Sequence, residues 1–503
     1  MQARNIPVIV GVGQINDPSD ASAQPLDVID LMKEALSNAD RDAGGGVLAQ
    51  LDFLGVENHM SGSIAPWPGT EPFLPHLIAA TGLRPRSTLL TPQPSGDGPV
   101  FLLNHAANLV ASGEVEIAAL VGGEALRTAA RRSAAETGKS QNAMRQLLDA
   151  TVRPFLRKYG LTTPTDVYPL YESATRAAWG QSFAEAQRET ALMWAAYSSV
   201  ASENDAACIR EALSAEQIAT VTDRNRMITF PYTKLMVANS AVNQGAAVLV
   251  TSLERARRMG ISEDRIIHVG AGAAASESED FLARDSYVRS HAMEISIGKT
   301  LELNRLRSDQ LDYVELYNCF PCVAKMARRA LGWPLDRAPS VYGGLSFGGG
   351  PIGNCMMHAI VMMTRKLRAR GTHGFIFANG GFATHNHSIV LSRAPAEDAA
   401  TLPREFNFDS EAERVRGPAP VLDEEYVGPG RIEAYSVPYG RDGRPSFGTI
   451  VAIAPDGRRF VSRVSPDDQA GLHFLVSGEV EPVGSSGECV ASDDGYRYWR
   501  WVR

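Results

Sequence analysis

Apolar and polar positions alternate in two different rhythms along this chain. Short apolar runs at residues 7–12, 51–56 and 117–121 read as buried strands, while 25–37 and 100–111 carry apolar residues at helical spacing. That order predicts the βαβ rhythm of a mostly parallel sheet covered on both faces. From Arg127 to Arg226 the rhythm stops, and a run of amphipathic helices rich in Ala, Arg, Gln and Glu reads as an insertion over one face of the sheet. Strand-like runs return at 246–251 and 266–269, and a second α/β half extends to about Arg393. Residues 396–430 gather Pro, Asp, Glu and Arg without periodicity and read as a surface linker. Beyond Arg431, short strands at 432–437, 448–453 and 460–464 are joined by Asp442-Gly443 and Asp456-Gly457 turns. They predict a small all-β barrel of the oligonucleotide/oligosaccharide type. The expected units are 1–126 with 227–260, an insertion at 127–226, a second half at 261–395, a linker at 396–430 and a barrel at 431–503.

One plan occurs twice. Gly96-Asp97-Gly98-Pro99 leads through a helix and a strand to Gly122-Gly123, and Gly348-Gly349-Gly350-Pro351 leads through a helix at 355–367 and a strand at 375–378 to Gly380-Gly381. The chain therefore reads as two halves built alike. His105 and His358 fall six and seven residues after the two prolines, which places each in the second turn of its helix. A glycine loop that feeds a helix N-terminus lets backbone amides approach a phosphate or a thioester carbonyl. Paired tight turns that merely join helix to sheet are the alternative.

A chain of 503 residues suggests two to four domains, and 44% hydrophobic with 21% charged residues is ordinary for a globular enzyme. A net charge of −8 offers no electrostatic reason to expect nucleic acid or an anionic membrane as partner. No apolar run approaches the roughly 20 residues that span a bilayer, and the expected location is cytoplasmic. Five cysteines in so long a chain do not make a disulfide framework.

Two segments concentrate reactive side chains. In 311–326 a strand runs into a helix, and Tyr317-Asn318-Cys319 sits at the junction, where ligands bind in open α/β sheets. That position predicts a lowered thiol pKa and nucleophilic use for Cys319, or else a small buried side chain in a tight turn. Cys319 and Cys322 also form a C-x-x-C, but inside a large repeat rather than in a compact redox domain, and no second Cys/His pair stands at zinc spacing. Metal is therefore not expected. The second segment is Ala378-Asn379-Gly380-Gly381, followed by His385 and His387, which point to opposite faces if the backbone stays extended. Gly-x-Ser-x-Gly elbows, Walker loops and His-Glu-x-x-His helices are missing, so hydrolase, nucleotidase and zinc-protease readings have no anchor. Tyr496, Tyr498, Trp499 and Trp501 with Arg497, Arg500 and Arg503 offer a stacking surface for nucleic acid, but packing against the body is the preferred reading.

Taken together, residues 5–393 resemble the thiolase superfamily, and with the barrel-like tail the chain looks most like its type 1 thiolase-like branch. The resemblance rests on the opening Ile6–Gln14 segment, Phe101 to Gly123, Phe230-Pro-Tyr-Thr-Lys234, Asn243-Gln-Gly-Ala-Ala247, Leu316-Tyr-Asn-Cys-Phe-Pro321, Gly343 to Asn354, and Asn379-Gly380-Gly381. It implies an α/β fold with two like halves stacked as a five-layered αβαβα body, a helical loop domain over the active site, coenzyme A as ligand, and chemistry at a carbon–carbon bond beside a thioester. A homodimer through the first sheet is the usual assembly of that fold.

The same resemblance exposes four departures. The helix-start cysteine of thiolases is missing from Gly96-Asp97-Gly98-Pro99, and their Gly-His-Pro histidine falls on Gly350. Their Cys-x-Gly acid/base cysteine falls on Ala378 or Asn379, and their oxyanion-hole Asn or His falls on Tyr317. Transfer through the usual cysteine is therefore not expected. What remains is Tyr317, which resembles the tyrosine of thiolase-fold steroid aldolases, with Asn318, Cys319, His358 and His385 as further catalytic candidates. Gly96, Gly98, Gly349, Gly350, Asn379 and Gly380 are candidates for holding an oxyanion or substrate. If CoA binds, Arg131, Arg132, Arg145, Arg153 and Lys158 are candidates for its phosphates, unless they form a solvated helix face. The expected activity is acyl transfer or carbon–carbon cleavage of a β-oxo or β-hydroxy acyl-CoA without the usual nucleophile. The alternatives are a non-catalytic acyl-CoA-binding scaffold and a tyrosine-dependent retro-aldol lyase.

Overall fold

The computed structural model describes residues 5–18, 25–64, 72–137 and 152–502. Strands β1 (Pro7–Asn16), β2 (Phe53–Val56), β3 (Ser87–Leu90) and β4 (Ile117–Ala125) open the chain, and the short pair β5 (Met227–Phe230) and β6 (Tyr232–Thr233) precedes β7 (Asn243–Ser252). Strands β8 (Ile267–Val269), β9 (Ala273–Ser276), β10 (Tyr313–Leu316), β11 (His373–Gly380) and β12 (His385–Ser392) complete the main body.

The first half-sheet runs β3-β2-β4-β7-β1, and the second runs β10-β11-β12 with β8 and β9 both beside β12. In each half a parallel pair is followed by an antiparallel one, β2·β4·β7 and β10·β11·β12. The Leu316 amide donates to the Pro339 carbonyl at 2.9 Å, which puts residue 339 on the outer side of β10, where β3 stands in the first half. The half-sheets meet at β1 and β8 through the pairs Val8–His268 and Ile9–Ile267.

Strands β1, β4 and β7 lack polar alternation because both of their faces are covered. Helix Val28–Asp42 packs on the outside of these three, and helix His291–Leu303 packs outside β9 and β12. Helices Gly98–Ser112 and Cys355–Ala369 lie between the half-sheets and touch each other and strands of both. Leu102, Leu103, Met357, Ile360 and Val361 on them have no exposed surface. This is the five-layered body that the sequence predicts.

The internal symmetry is real, but its register differs from the one the glycines suggest. Pro99 is the second residue of its helix, whereas Pro351 precedes Cys355 by a separate turn at Ile352–Asn354. His358 therefore lies in the first turn of its helix and His105 one turn deeper, so the two are not equivalent. The Glu57 amide donates to the Val121 carbonyl at 2.9 Å, and the Tyr317 amide donates to Phe377 at 3.1 Å. Glu57 and Tyr317 are thus symmetry mates, and Gly122-Gly123 match Ala378-Asn379.

The insertion supplies helices Pro164–Ala178 and Phe183–Ser202, each opened by a reciprocal cap, Thr163 with Asp166 and Ser182 with Glu185. The stretch read as a featureless linker contains helix Asp409–Val415, whose Asp409 accepts from the Ser276 amide at 2.7 Å. The tail forms β13 (Gly428–Pro438), β14 (Gly448–Ile453), β15 (Arg459–Val464), β16 (Ser486–Ala491) and β17 (Arg497–Trp501). Pairings β13·β14, β14·β15, β15·β17, β17·β16 and β16·β13 close a barrel, with helix Gln469–Val476 between β15 and β16. Strand β13 continues past the barrel to pair with β5. Trp499 is buried in the barrel, and Tyr496 packs edge-on against Tyr159 of the body at 6.3 Å.

Candidate active site

The ends of β10 and β11 and the two glycine turns border one cavity of about 440 Å³. Gly96, Gly350, Tyr317, Cys319 and Gly380 line it, together with Ser95, Ile352, Gly381 and, from the insertion, Thr163 and Tyr168. Among the described residues its lining carries no Lys, Arg, His, Asp or Glu. Five residues singled out in the sequence therefore share one space, while Gly98, Gly349, Asn318, Asn379, His358 and His385 do not line it.

The first turn is built around a buried carboxyl. Glu57 accepts from the Ser95 amide at 2.9 Å and from the Thr91 hydroxyl at 3.0 Å, and burial pushes its carboxyl well above the usual range. A side chain at Gly98 would run into Glu57, and one at Gly96 would run into the Asn379 carbonyl and the Tyr317 hydroxyl. Both positions need glycine for close approach rather than for an unusual backbone angle. Ser95 and Asp97 flank Gly96, and the Ser95 hydroxyl donates to the Asp97 carboxylate. Sequence reasoning passed over this pair because Ser and Asp are ordinary turn residues.

The backbone donors differ from those expected. The Gly98 amide donates to Ser95 at 3.0 Å, Gly349 to Gly344 at 3.2 Å and Gly350 to Asn239 at 2.9 Å, so these three are already engaged. The amides of Gly96 and Gly381, both on the cavity wall, have no acceptor among the described residues. Ile352 adopts a φ of +36°, a costly conformation for a β-branched residue, at the point where the second turn meets the cavity.

The side chains fall into two groups. Tyr317 is 7% exposed at the cavity wall, and burial holds its phenol well above the usual range, so it is protonated at neutral pH. Cys319 corrects an expectation: burial pushes its thiol up to about 12, with the Tyr168 hydroxyl beside it. The helix starts only at Pro321, after Phe320, so its N-terminal amides do not serve the sulfur. His358 lies away from the cavity, where its Nδ1 pairs with Gln14 Oε1 at 2.9 Å and burial lowers its pKa to about 3. His385 is turned outward, with Nε2 3.0 Å from Glu279. Asn318 holds the second turn by accepting from the Leu345 amide at 2.9 Å, and Asn379 holds β12 by donating to Asn386 at 3.0 Å. Tyr168, which sequence reasoning missed, donates from its hydroxyl to the Gly381 carbonyl at 2.8 Å and ties the insertion to the end of β11.

The four described cationic candidates, Arg131, Arg132, Arg153 and Lys158, do not border the cavity. Arg153 pairs with Asp280 at 3.0 Å and Glu424 at 3.3 Å, and Lys158 donates to the Gly495 carbonyl, so both join the barrel region to the body. Arg132 stands 3.9 Å from Asp27, Arg131 is exposed, and Arg145 lies outside the described residues.

Two stacked like halves, a paired central helix layer and a site at the strand ends between them define the thiolase fold. Solved structures agree. A monomeric SCP2-thiolase like protein type 1 from Mycobacterium smegmatis superposes with a TM-score of 0.81 at 26% identity, covering 100% of both chains. An Ltp2-ChsH2(DUF35) aldolase gives 0.60 at 17% identity over 78% of this chain and 98% of that one. Human mitochondrial 3-ketoacyl-CoA thiolase in complex with CoA gives 0.57 at 13% identity over 78% and 98%. The family model described as the thiolase-like protein type 1 additional C-terminal domain matches residues 412–495. No curated protein sequence matches the chain. The whole chain thus shares the fold of a thiolase-like protein type 1, and its tail matches the additional C-terminal domain of that type.

Proposed function

We propose that this protein binds acyl-CoA thioesters and acts at the carbon–carbon bond beside the thioester carbonyl without a covalent cysteine intermediate. The observation that carries the reading is the convergence of both glycine turns, Tyr317 and the free amides of Gly96 and Gly381 on one uncharged cavity. An uncharged wall suits the acyl and pantetheine parts of the ligand. The CoA phosphates meet no cation there among the described residues and would lie outside it. The roles differ from those of an acyl transferase. A phenol that stays protonated is suited to donate a hydrogen bond to an oxyanion, and we read Tyr317 in that role. Cys319, with its raised pKa, is a poor nucleophile. Ser95 on the cavity wall, hydrogen-bonded to Asp97, is the hydroxyl–carboxylate pair we read as accepting a substrate proton. Cleavage of a β-hydroxy or β-oxo acyl chain fits these roles better than ping-pong transfer. The five-stranded barrel, with its parallel third and fifth strands, we read as an OB-like brace for the insertion rather than as a nucleic-acid module.

Incubating the full-length protein with a panel of β-ketoacyl- and β-hydroxyacyl-CoA thioesters tests the reading. Turnover reduced roughly 10²-fold or more in Tyr317→Phe, with thioester affinity kept, is the expected outcome. A second reading is favoured by the lack, among the described residues, of any charged side chain on the cavity wall: a protein that holds acyl-CoA without turning it over. Saturable binding with no product from any thioester decides for it, and failure of every thioester to bind removes both.

A further inference from the structure

A second concavity of about 620 Å³ lies on the flank of the first half, bounded by the end of β1, the last turn of helix Val28–Asp42 and the last turns of helix Cys355–Ala369. Three arginines from distant parts of the chain, Arg41, Arg265 and Arg365, face into it. Its carboxylates are already committed. Asp42 takes Arg265 at 2.5 Å, Arg368 at 2.6 Å and the Val12 amide at 2.9 Å, and Asp205 takes Arg210 at 2.8 Å. Arg41 donates to the neutral Asn38 side chain at 2.8 Å. Arg365 is exposed and has no carboxylate within 4 Å among the described residues. With Arg210 and Arg368, which pair with the groove's aspartates from outside it, five arginines meet two aspartates in these contacts, a local excess of positive charge in a chain whose net charge is −8.

An excess of that size on guanidinium groups that converge on one groove from three elements is the arrangement that binds a doubly charged oxyanion through forked, charge-assisted hydrogen bonds. A monocarboxylate leaves most of the excess unbalanced, and the volume exceeds what a bare phosphate fills. We propose that this groove is a binding site for the phosphate-monoester group of a small organic molecule, with Arg365 as its unpaired anchor and Arg41 and Arg265 at its sides. The site is separate from the thioester cavity. Buried Gln14 forms part of the floor and passes from there to His358, while its amide also donates to Asn204 at 3.0 Å.

Calorimetric titration of the full-length protein at low ionic strength, in a buffer free of phosphate, tests the proposal with 5′-AMP, adenosine and inorganic phosphate as probes. AMP is expected to bind once per chain, adenosine not at all, and inorganic phosphate more weakly than AMP. Arg365→Gln is expected to weaken AMP at least tenfold, and Arg41→Gln also to weaken it, while both leave the melting temperature and thioester binding unchanged, since neither side chain pairs with a carboxylate. Inorganic phosphate binding as tightly as AMP would reduce the site to one for free phosphate and overturn its organic ligand. Equal affinity for adenosine and AMP, no binding by any phosphate, or an unchanged affinity in both variants overturns the site itself. Loss of thioester binding elsewhere in the molecule leaves each of these results readable.

Discussion

Burial, rather than position in the motif, sets the chemistry of the individual reactive groups. Cys319 stands after a strand and before a helix, the place where thiols are often activated, yet the helix N-terminus begins beyond Phe320 and the sulfur is packed at 8% exposure. Cys319→Ala is therefore expected to keep thioester turnover within a few-fold of wild type, and native protein at pH 8 is expected to react slowly with a thiol reagent until denatured. Rapid labelling of Cys319 in the folded protein, or an inactive alanine variant, would return the thiol to a nucleophilic role. Glu315 gives a stability effect with a definite sign. It is fully buried on β10, accepts from Ser340 Oγ at 2.8 Å and the Val341 amide at 2.9 Å, and burial raises its pKa to about 8. A carboxyl whose folded pKa lies above its unfolded value near 4.3 contributes its full stabilisation at low pH and loses it as pH rises through about 8. Wild type is expected to melt lower at pH 8.5 than at pH 6. Glu315→Gln should remove part of that difference, on the order of a few kcal/mol. An identical pH dependence in the two proteins would show that Glu315 does not carry it.

Helix Pro164–Ala178 decides how the cavity is walled. One side of it brings Thr163 and Tyr168 to the site, and the other meets the barrel through Ser173 and Arg176. Arg176 is 4% exposed, pairs with Glu481 at 2.9 Å and donates to the Tyr435 hydroxyl at 2.9 Å. Arg176→Ala takes the cation from Glu481, which keeps only the Val483 amide, and the donor from the Tyr435 hydroxyl, and should cost about 2–4 kcal/mol. A raised thioester Kd together with a lower melting temperature is the expected pair of readouts. An altered melting temperature with unchanged affinity would mean that the barrel does not brace the cavity. The central strands and helices were legible because burial on both faces leaves unbroken apolar runs, as in β4 and β7. The site was legible only in part. Glycines and Tyr317 at strand ends are local signals, but Tyr168 reaches the cavity from the insertion, about 70 residues after Gly96 and about 150 before Tyr317, and nothing local marks it. The equivalence of Glu57 and Tyr317 was hidden for a related reason: it is written in hydrogen-bond register, while the glycine-proline spacing that stood out in the sequence is shifted by a turn.

At the scale of the whole molecule, the barrel and the body share strands as well as a surface. Val437 and Pro438 of β13 pair with Phe230 and Thr229 of β5, so one ladder crosses from the barrel into the segment that follows the insertion. Phe230 is 5% exposed, stacks on Phe183 at 5.1 Å and belongs to the barrel's own apolar cluster with Tyr435, Ile450 and Leu475. The Thr449 hydroxyl donates to the Tyr159 carbonyl at 2.7 Å, and Arg459 reaches the Arg284 and Leu282 carbonyls of the second half. A chain ending at residue 426 loses all of these contacts at once. It leaves β5 as an open edge beside an uncovered aromatic patch, which favours association with other copies. Such a truncated protein is expected to elute as soluble aggregate in size-exclusion chromatography and to bind a hydrophobic dye strongly, even though the two half-sheets are complete. A monodisperse product with an unchanged circular dichroism spectrum and full thioester affinity would show instead that the barrel is an independent appendage, and that the cavity needs nothing from it.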